Sequence, residues 1–202
     1  DTESYCARAY IEVLHRYNIS LTETEYYRHW TREGKGLAEL LEERNLGRDI
    51  TALRKEISDL LIPSLVANPP IIDGVTDVLN RLHLIYPLAL VTSSYRNSTN
   101  ALLESSGFVK FFQHIITVED VTKGKPHPEG FLLGSQRLGI ASENLVVIED
   151  AEKGIVAAHI AGMKSIAIPN MHTKENDFSL ANLVLNDIRE LTPDLIMDLA
   201  HR

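Results

Sequence analysis

Val146-Val147-Ile148-Glu149-Asp150-Ala151-Glu152-Lys153-Gly154 is the stretch that decides the fold. Three β-branched residues run into two adjacent carboxylates and then into helix-compatible residues, the pattern of a buried strand leading over a short turn into a helix. The same texture repeats on either side. Short apolar runs at 88–91, 115–118, 145–148, 165–168 and 183–185 alternate with amphipathic segments long enough for crossover helices, which predicts an α/β fold with a parallel sheet. Gly107, Gly139 and Gly162 stand where helix ends need a left-handed residue.

Upstream of Asn68-Pro69-Pro70 the pattern changes. Apolar residues recur at three and four spacing, as in Tyr10, Leu14 and Tyr17 or Leu37, Leu40 and Leu41, so the first third is helical. Thr22 with Glu25 is a capping box, with Leu21 placed to staple onto Tyr26, and predicts a helix that begins near Glu23 and breaks around Gly34 and Gly36. Further helices are expected over 37–44 and 50–66.

Composition excludes several classes. Twenty basic against twenty-eight acidic side chains give a net charge of -8, and no basic cluster offsets it, so nucleic acid is not a partner. Pro63, Pro69 and Pro70 interrupt the most apolar stretch, which argues against a membrane span, and the single cysteine, Cys6, forms no internal disulfide. A soluble, cytoplasmic protein is the expectation, and 202 residues with 44% hydrophobic side chains suffice for a real core.

Parallel sheets bind ligands beyond the carboxyl ends of their strands, which directs attention to three places. Thr92, Ser93 and Ser94 follow the strand at 88–91, where hydroxyls and backbone N–H groups suit an anion; capping of the next helix is the alternative. Lys125 lies in Lys123-Gly124-Lys125-Pro126-His127-Pro128-Glu129, where two prolines make a rigid mount that can hold a cation against phosphoryl charge; the alternative is a solvated basic turn, with His127 pointing to solvent. Glu149 and Asp150 suit a hard cation such as magnesium, which takes one or two carboxylates with water and a substrate phosphate. Capping of a helix near Gly154 explains one of these carboxylates better than both.

The order and spacing of these three elements resembles motifs II, III and IV of the haloacid-dehalogenase-like phosphatases. Asp73-Gly74-Val75 resembles the turn that reopens the core of that family, and the helical first third resembles its small cap. The resemblance implies a Rossmann-like parallel-sheet core over 69–202 and a helical, four-helix-type cap over 1–68. It implies Mg2+-dependent hydrolysis of a small phosphorylated metabolite through an aspartyl-phosphate. Thr92 and Lys125 would serve the transferring phosphoryl group, with Ser93 and Ser94 beside them, and Asp150 would hold the metal with Glu149 in support. Asp1-Thr2-Glu3 resembles the segment that closely follows motif I, so the nucleophilic aspartate and its acid–base partner are expected on a strand just upstream of residue 1. Ala151 replaces a frequent serine, and Glu129 stands where aspartate is commoner.

In that family the cap meets the substrate beyond its phosphate, which singles out 28–37. Arg32 and Lys35, set among glycines, are candidates for a substrate carboxylate or second phosphate, with Trp30 as an apolar wall; a solvent-facing charged loop with Trp30 in the cap core is the alternative. Two other functions remain open. One is a phosphosugar mutase of the β-phosphoglucomutase type, which commonly shows histidine where this chain has Cys6. The other is a noncatalytic phospholigand-binding fold.

Overall fold

The structure, a computed structural model, describes residues 1–200. Its first part is helical. Helix α1 (Glu3–Arg16) packs against α4 (Ile50–Ala67), while α2 (Glu23–Tyr27) and α3 (Leu37–Glu43) close the remaining sides. Val13, Leu14, Tyr26, Leu41, Leu53 and Ile57 meet in one buried cluster, as the three-and-four spacing requires. The Thr22 box forms as expected: its Oγ1 accepts from Glu25 N–H, and a Glu25 carboxylate oxygen accepts from Thr22 N–H at 2.9 Å. Asp49 caps α4, which runs through Pro63 and ends just before Asn68.

The expected helix from Glu23 to Gly34 does not run straight. After Tyr27 it widens into a π-helical turn, Arg28–Arg32. Three bonds account for this: Thr31 Oγ1 donates back to Tyr27 O at 2.6 Å, His29 Nε2 lies 3.0 Å from Gly36 O, and Lys35 N–H donates to His29 O at 3.0 Å. Side chain and loop compete here with the regular ladder.

The rest alternates strand and helix: α5 (Val75–Leu82), β1 (Ala89–Val91), α6 (Arg96–Ser106), β2 (His114–Ile116), α7 (Glu129–Leu138), β3 (Val146–Glu149), α8 (Glu152–Ile160), β4 (Lys164–Ala167), β5 (Leu183–Val184) and α9 (Pro193–Ala200). All pairings are parallel. β1 pairs β2, and β3, β4 and β5 pair in that order. The fold is therefore α/β, and each expected strand lies within a residue or two of its predicted place. α8 begins at Glu152 rather than near Gly154.

The two sheets do not pair with each other. Between them lies a largely apolar space of about 260 Å³, touched by every residue from Leu88 to Val91 and from Leu145 to Glu149. Successive strand residues point to opposite faces, so a space that touches all of them runs along the facing edges of β1 and β3. Helix α4 packs on α6 as well as on α1 and so ties the helical part to the sheets. Among the described residues no helix is long and apolar enough to cross a membrane.

Candidate active site

A cleft of about 640 Å³ opens at the carboxyl ends of β1, β3 and β4, and Thr92, Ser93, Ser94, Lys125, Glu149 and Asp150 all line it. Three separated stretches of sequence thus converge where a parallel sheet is built to hold a ligand.

β1 delivers the hydroxyl triplet. Thr92 N–H is spent on Ile116 O at 2.9 Å, which continues the ladder with β2 for one more step. Its Oγ1 accepts from Ser94 N–H at 3.1 Å, leaving the hydroxyl proton free to donate. Ser93 is exposed, and neither its N–H nor its hydroxyl bonds another described residue. An anion at this end of β1 therefore meets donors from both residues.

Lys125 is mounted by the loop ahead of α7. Glu129, in the first turn of α7, accepts from Thr122 N–H at 2.7 Å and Lys123 N–H at 3.0 Å, which folds the loop back on its own helix. His127 is exposed beside Glu129. Lys125 Nζ reaches across the space between the sheets, donating to Val91 O at 3.0 Å and to Glu149 Oε1, and lies 4.6 Å from the centre of the Phe131 ring. The side chains of Lys125 and Glu149 are each only 10% exposed.

The adjacent carboxylates have different duties. Glu149 turns inward, paired with Lys125, and its Oε2 accepts from Asp150 N–H at 3.1 Å and Ala151 N–H at 3.4 Å. Burial works against its charge, but the lysine beside it keeps its carboxyl below the usual range. Gly154 makes this possible: a Cβ there would stand 2.1 Å from the Glu149 carboxyl carbon. Asp150 faces the cleft with its side chain exposed, and its Oδ2 accepts from Asn170 Nδ2 at 2.8 Å. The protein packed around it limits its hydration despite that open face, and together with the nearby Glu149 and Glu3 carboxylates this pushes its carboxyl up to about 7. Such crowding of negative charge suits a cation. Among the described residues no three His, Cys, Asp or Glu side chains converge into an all-protein cage. Asp150 is a carboxylate open to the cleft, the kind of donor that a hard cation such as magnesium takes together with water and phosphate.

Sequence reasoning passed over Lys153, Asn170 and Arg54. Lys153 was within reach, lying in the same stretch as the acid pair on the first turn of α8; its Nζ donates to Trp30 O at 2.6 Å, and burial lowers its pKa. Asn170 follows β4 as the other site residues follow their strands. Arg54 sits in α4 with no motif around it.

A second cleft of about 590 Å³ continues under the helical part, lined by Trp30, Lys35, Arg54 and Tyr95 and sharing Ser93, Ser94, Lys125 and Lys153 with the first. Here the two cations expected to meet substrate are already engaged. Lys35 Nζ lies between Glu33, at 2.9 Å, and Glu43, at 2.7 Å, and Arg32 turns away from this cleft toward Glu152, 3.7 Å off. Trp30 serves both expected roles, stacked on Tyr26 at 4.7 Å and lining the cleft.

The profile of a family described as haloacid dehalogenase-like hydrolase matches residues 1–168. The chain belongs to the haloacid dehalogenase-like hydrolases. Among curated relatives, validoxylamine A 7'-phosphate phosphatase of Streptomyces hygroscopicus is 32% identical over 59% of this chain, and the match spans only 56% of that protein. Fructose-1-phosphate phosphatase YqaB of Escherichia coli is 30% identical over 83% of this chain and 89% of its own length. The crystal structure of CbbY from Rhodobacter sphaeroides, solved with phosphate, superposes with a TM-score of 0.87 over 98% of this chain and 94% of that one at 23% identity, which establishes the shared fold. Phosphatases thus recur among the relatives of this haloacid dehalogenase-like hydrolase.

Proposed function

We propose that this hydrolase cleaves a small phosphate monoester, a sugar phosphate or similar metabolite, with Mg2+ at Asp150 and through an aspartyl-phosphate. The observation that carries this reading is the convergence of Thr92, Ser93, Lys125 and Asp150 on one cleft. Thr92 and Ser93 donate hydrogen bonds to the phosphoryl oxygens at the end of β1. Lys125, held by Val91 O and Glu149, places positive charge between the two sheets where the transferring group must pass. Glu149 orients that lysine rather than holding the metal. Bound Mg2+ would neutralise charge as it develops on the phosphoryl oxygens.

The nucleophile belongs to a strand seated between β1 and β3. The space there runs along two facing strand edges, and a strand in it would pair with both and end beside Lys125 and Asp150. An Asp-x-Asp sequence at its end would set one carboxylate to attack phosphorus and the other to serve the leaving group and then water. The residues are proposed to divide between a helical cap, 1–68, and a core, 69–202.

One observation weighs against the mutase. Cys6, standing where that branch commonly shows histidine, is a thiol that burial pushes up to about 12, so it exchanges no proton near neutrality. Phosphate release from a panel of esters by the gene-length protein, with Mg2+ and then with a chelator, tests the proposal. Chelator-sensitive turnover supports it; turnover that persists in the chelator, or none at all, refutes it.

A further inference from the structure

Of the cations that line the cleft under the helical part, three are held by partners. Lys35 lies between Glu33 and Glu43, Lys125 binds Glu149 and Val91 O, and Lys153 donates to Trp30 O. The fourth, Arg54, has no hydrogen bond or ion pair with any described residue. Its Nε is buried without a partner, and its guanidinium carbon lies 5.3 Å from the centre of the Tyr95 ring. An unmatched buried donor is costly in a protein at rest and becomes favourable when a ligand supplies the acceptor.

The placement is specific. Arg54 projects from α4 of the helical part, whereas Tyr95 follows Ser94 directly at the end of the β1 turn. Arg54 thus lines one cleft with Ser93 and Ser94, which also line the cleft that holds Asp150. None of the cleft's carboxylates bonds it: Glu39 accepts from Gly36 N–H at 2.9 Å, Glu119 accepts from Arg96 N–H at 2.5 Å, and Glu3 Oε2 is itself buried without a partner. A planar guanidinium fork over an aromatic ring offers parallel N–H groups for two bonds to a carboxylate or phosphate.

We propose that Arg54 is a specificity-determining residue that binds a second anionic group of the substrate, so the preferred esters carry a carboxylate or second phosphate besides the phosphate that is cleaved. This rests on the phosphate-ester reading above and narrows its substrate class. The roles sketched in the sequence for Arg32 and Lys35 pass to a residue whose charge is free.

The test uses 3-phosphoglycerate and glycerol 3-phosphate, which share a three-carbon backbone and differ by a carboxylate against a hydroxymethyl group. Binding is followed through the fluorescence of Trp30, the single tryptophan and a wall of the same cleft, and turnover of the same pair is measured alongside. The wild-type protein is expected to bind the carboxylate ester at least about tenfold more tightly. Arg54→Met should bring the two affinities together, and Arg54→Lys should restore part of the difference. No preference in the wild type, or one that survives Arg54→Met in a variant with unchanged circular dichroism, overturns the proposal. Turnover of either ester by the wild type keeps the hydrolase reading standing even then, so the two claims fail separately.

Discussion

The two walls of the active-site region are built on opposite principles. On the sheet side every charged group has a partner assigned within the protein, as Lys125 has in Glu149 and Asp150 has in Asn170. On the helical side one apolar cluster supplies rigidity, and Arg54 projects from it beside the Tyr95 ring with no hydrogen bond or ion pair to any described residue. Charges matched within the protein are pre-organised for one chemical step whatever the substrate. A charge left unmatched is available to whatever the substrate brings. On the function proposed above, the difference separates catalysis from selection.

The largest effect that would break this comparison is expected at Lys125. Lys125→Ala removes the cation between the sheets and leaves Glu149 buried and unpaired, so kcat should fall by about a thousandfold and stability by about 3 kcal/mol. Denaturant titration with steady-state kinetics checks both, and near-wild-type values in either would show the pair to be less tightly built than its burial indicates. Next comes Gly154→Ala. Its Cβ would displace the Glu149 carboxyl from Lys125, and a loss of about a hundredfold in kcat with unchanged far-ultraviolet circular dichroism is expected.

On the helical side the corresponding change should be milder. Gly34 has φ 67°, and a Cβ there would lie 2.8 Å from Lys125 O, so Gly34→Ala must shift the loop against the sheet side. A severalfold rise in KM and a stability loss of about 1 kcal/mol are expected, with kcat changed less. A kcat loss as large as that of Gly154→Ala would erase the distinction between the walls.

The smallest effect concerns pH. The folded protein holds the Asp150 proton more tightly than an unfolded chain, so without metal this group's contribution to stability is fully present below the ordinary carboxylate pKa and is lost as pH rises through about 7. Mg2+ competes with that proton. The rise in Tm produced by Mg2+ should therefore be largest above pH 7 and shrink below it, and a pH-independent rise would place the ion elsewhere.

The walls were also unequally legible in the sequence. The sheet side follows from local rules, since β-branched runs make strands and polar residues just past them face the cleft; Thr92, Ser93, Glu149 and Asp150 were placed at the cleft that way, and Lys125 by the two prolines of its turn. What those rules missed was the division of labour between Glu149 and Asp150. It depends on Gly154 leaving room for a carboxylate to turn back. The helical side was legible as helices and core but not as a site. Arg32 and Lys35 looked free because Glu43 and Glu152 approach them only once the chain has folded, although Glu33, which Lys35 also meets, stands between them in the sequence. Arg54 looked like any basic residue on an amphipathic helix, because the Tyr95 ring beneath it comes from a different part of the chain.

The central claim is that Asp150 holds the Mg2+ of a phosphate-ester hydrolase, and replacing its carboxylate tests that most directly. In the gene-length protein, Asp150→Asn should lower Mg2+-dependent phosphate release from p-nitrophenyl phosphate at least a hundredfold, ~3 kcal/mol of transition-state stabilisation, while Tm in the absence of metal holds or rises. Release at the wild-type rate, still abolished by a chelator, would contradict the account and move the metal to other residues.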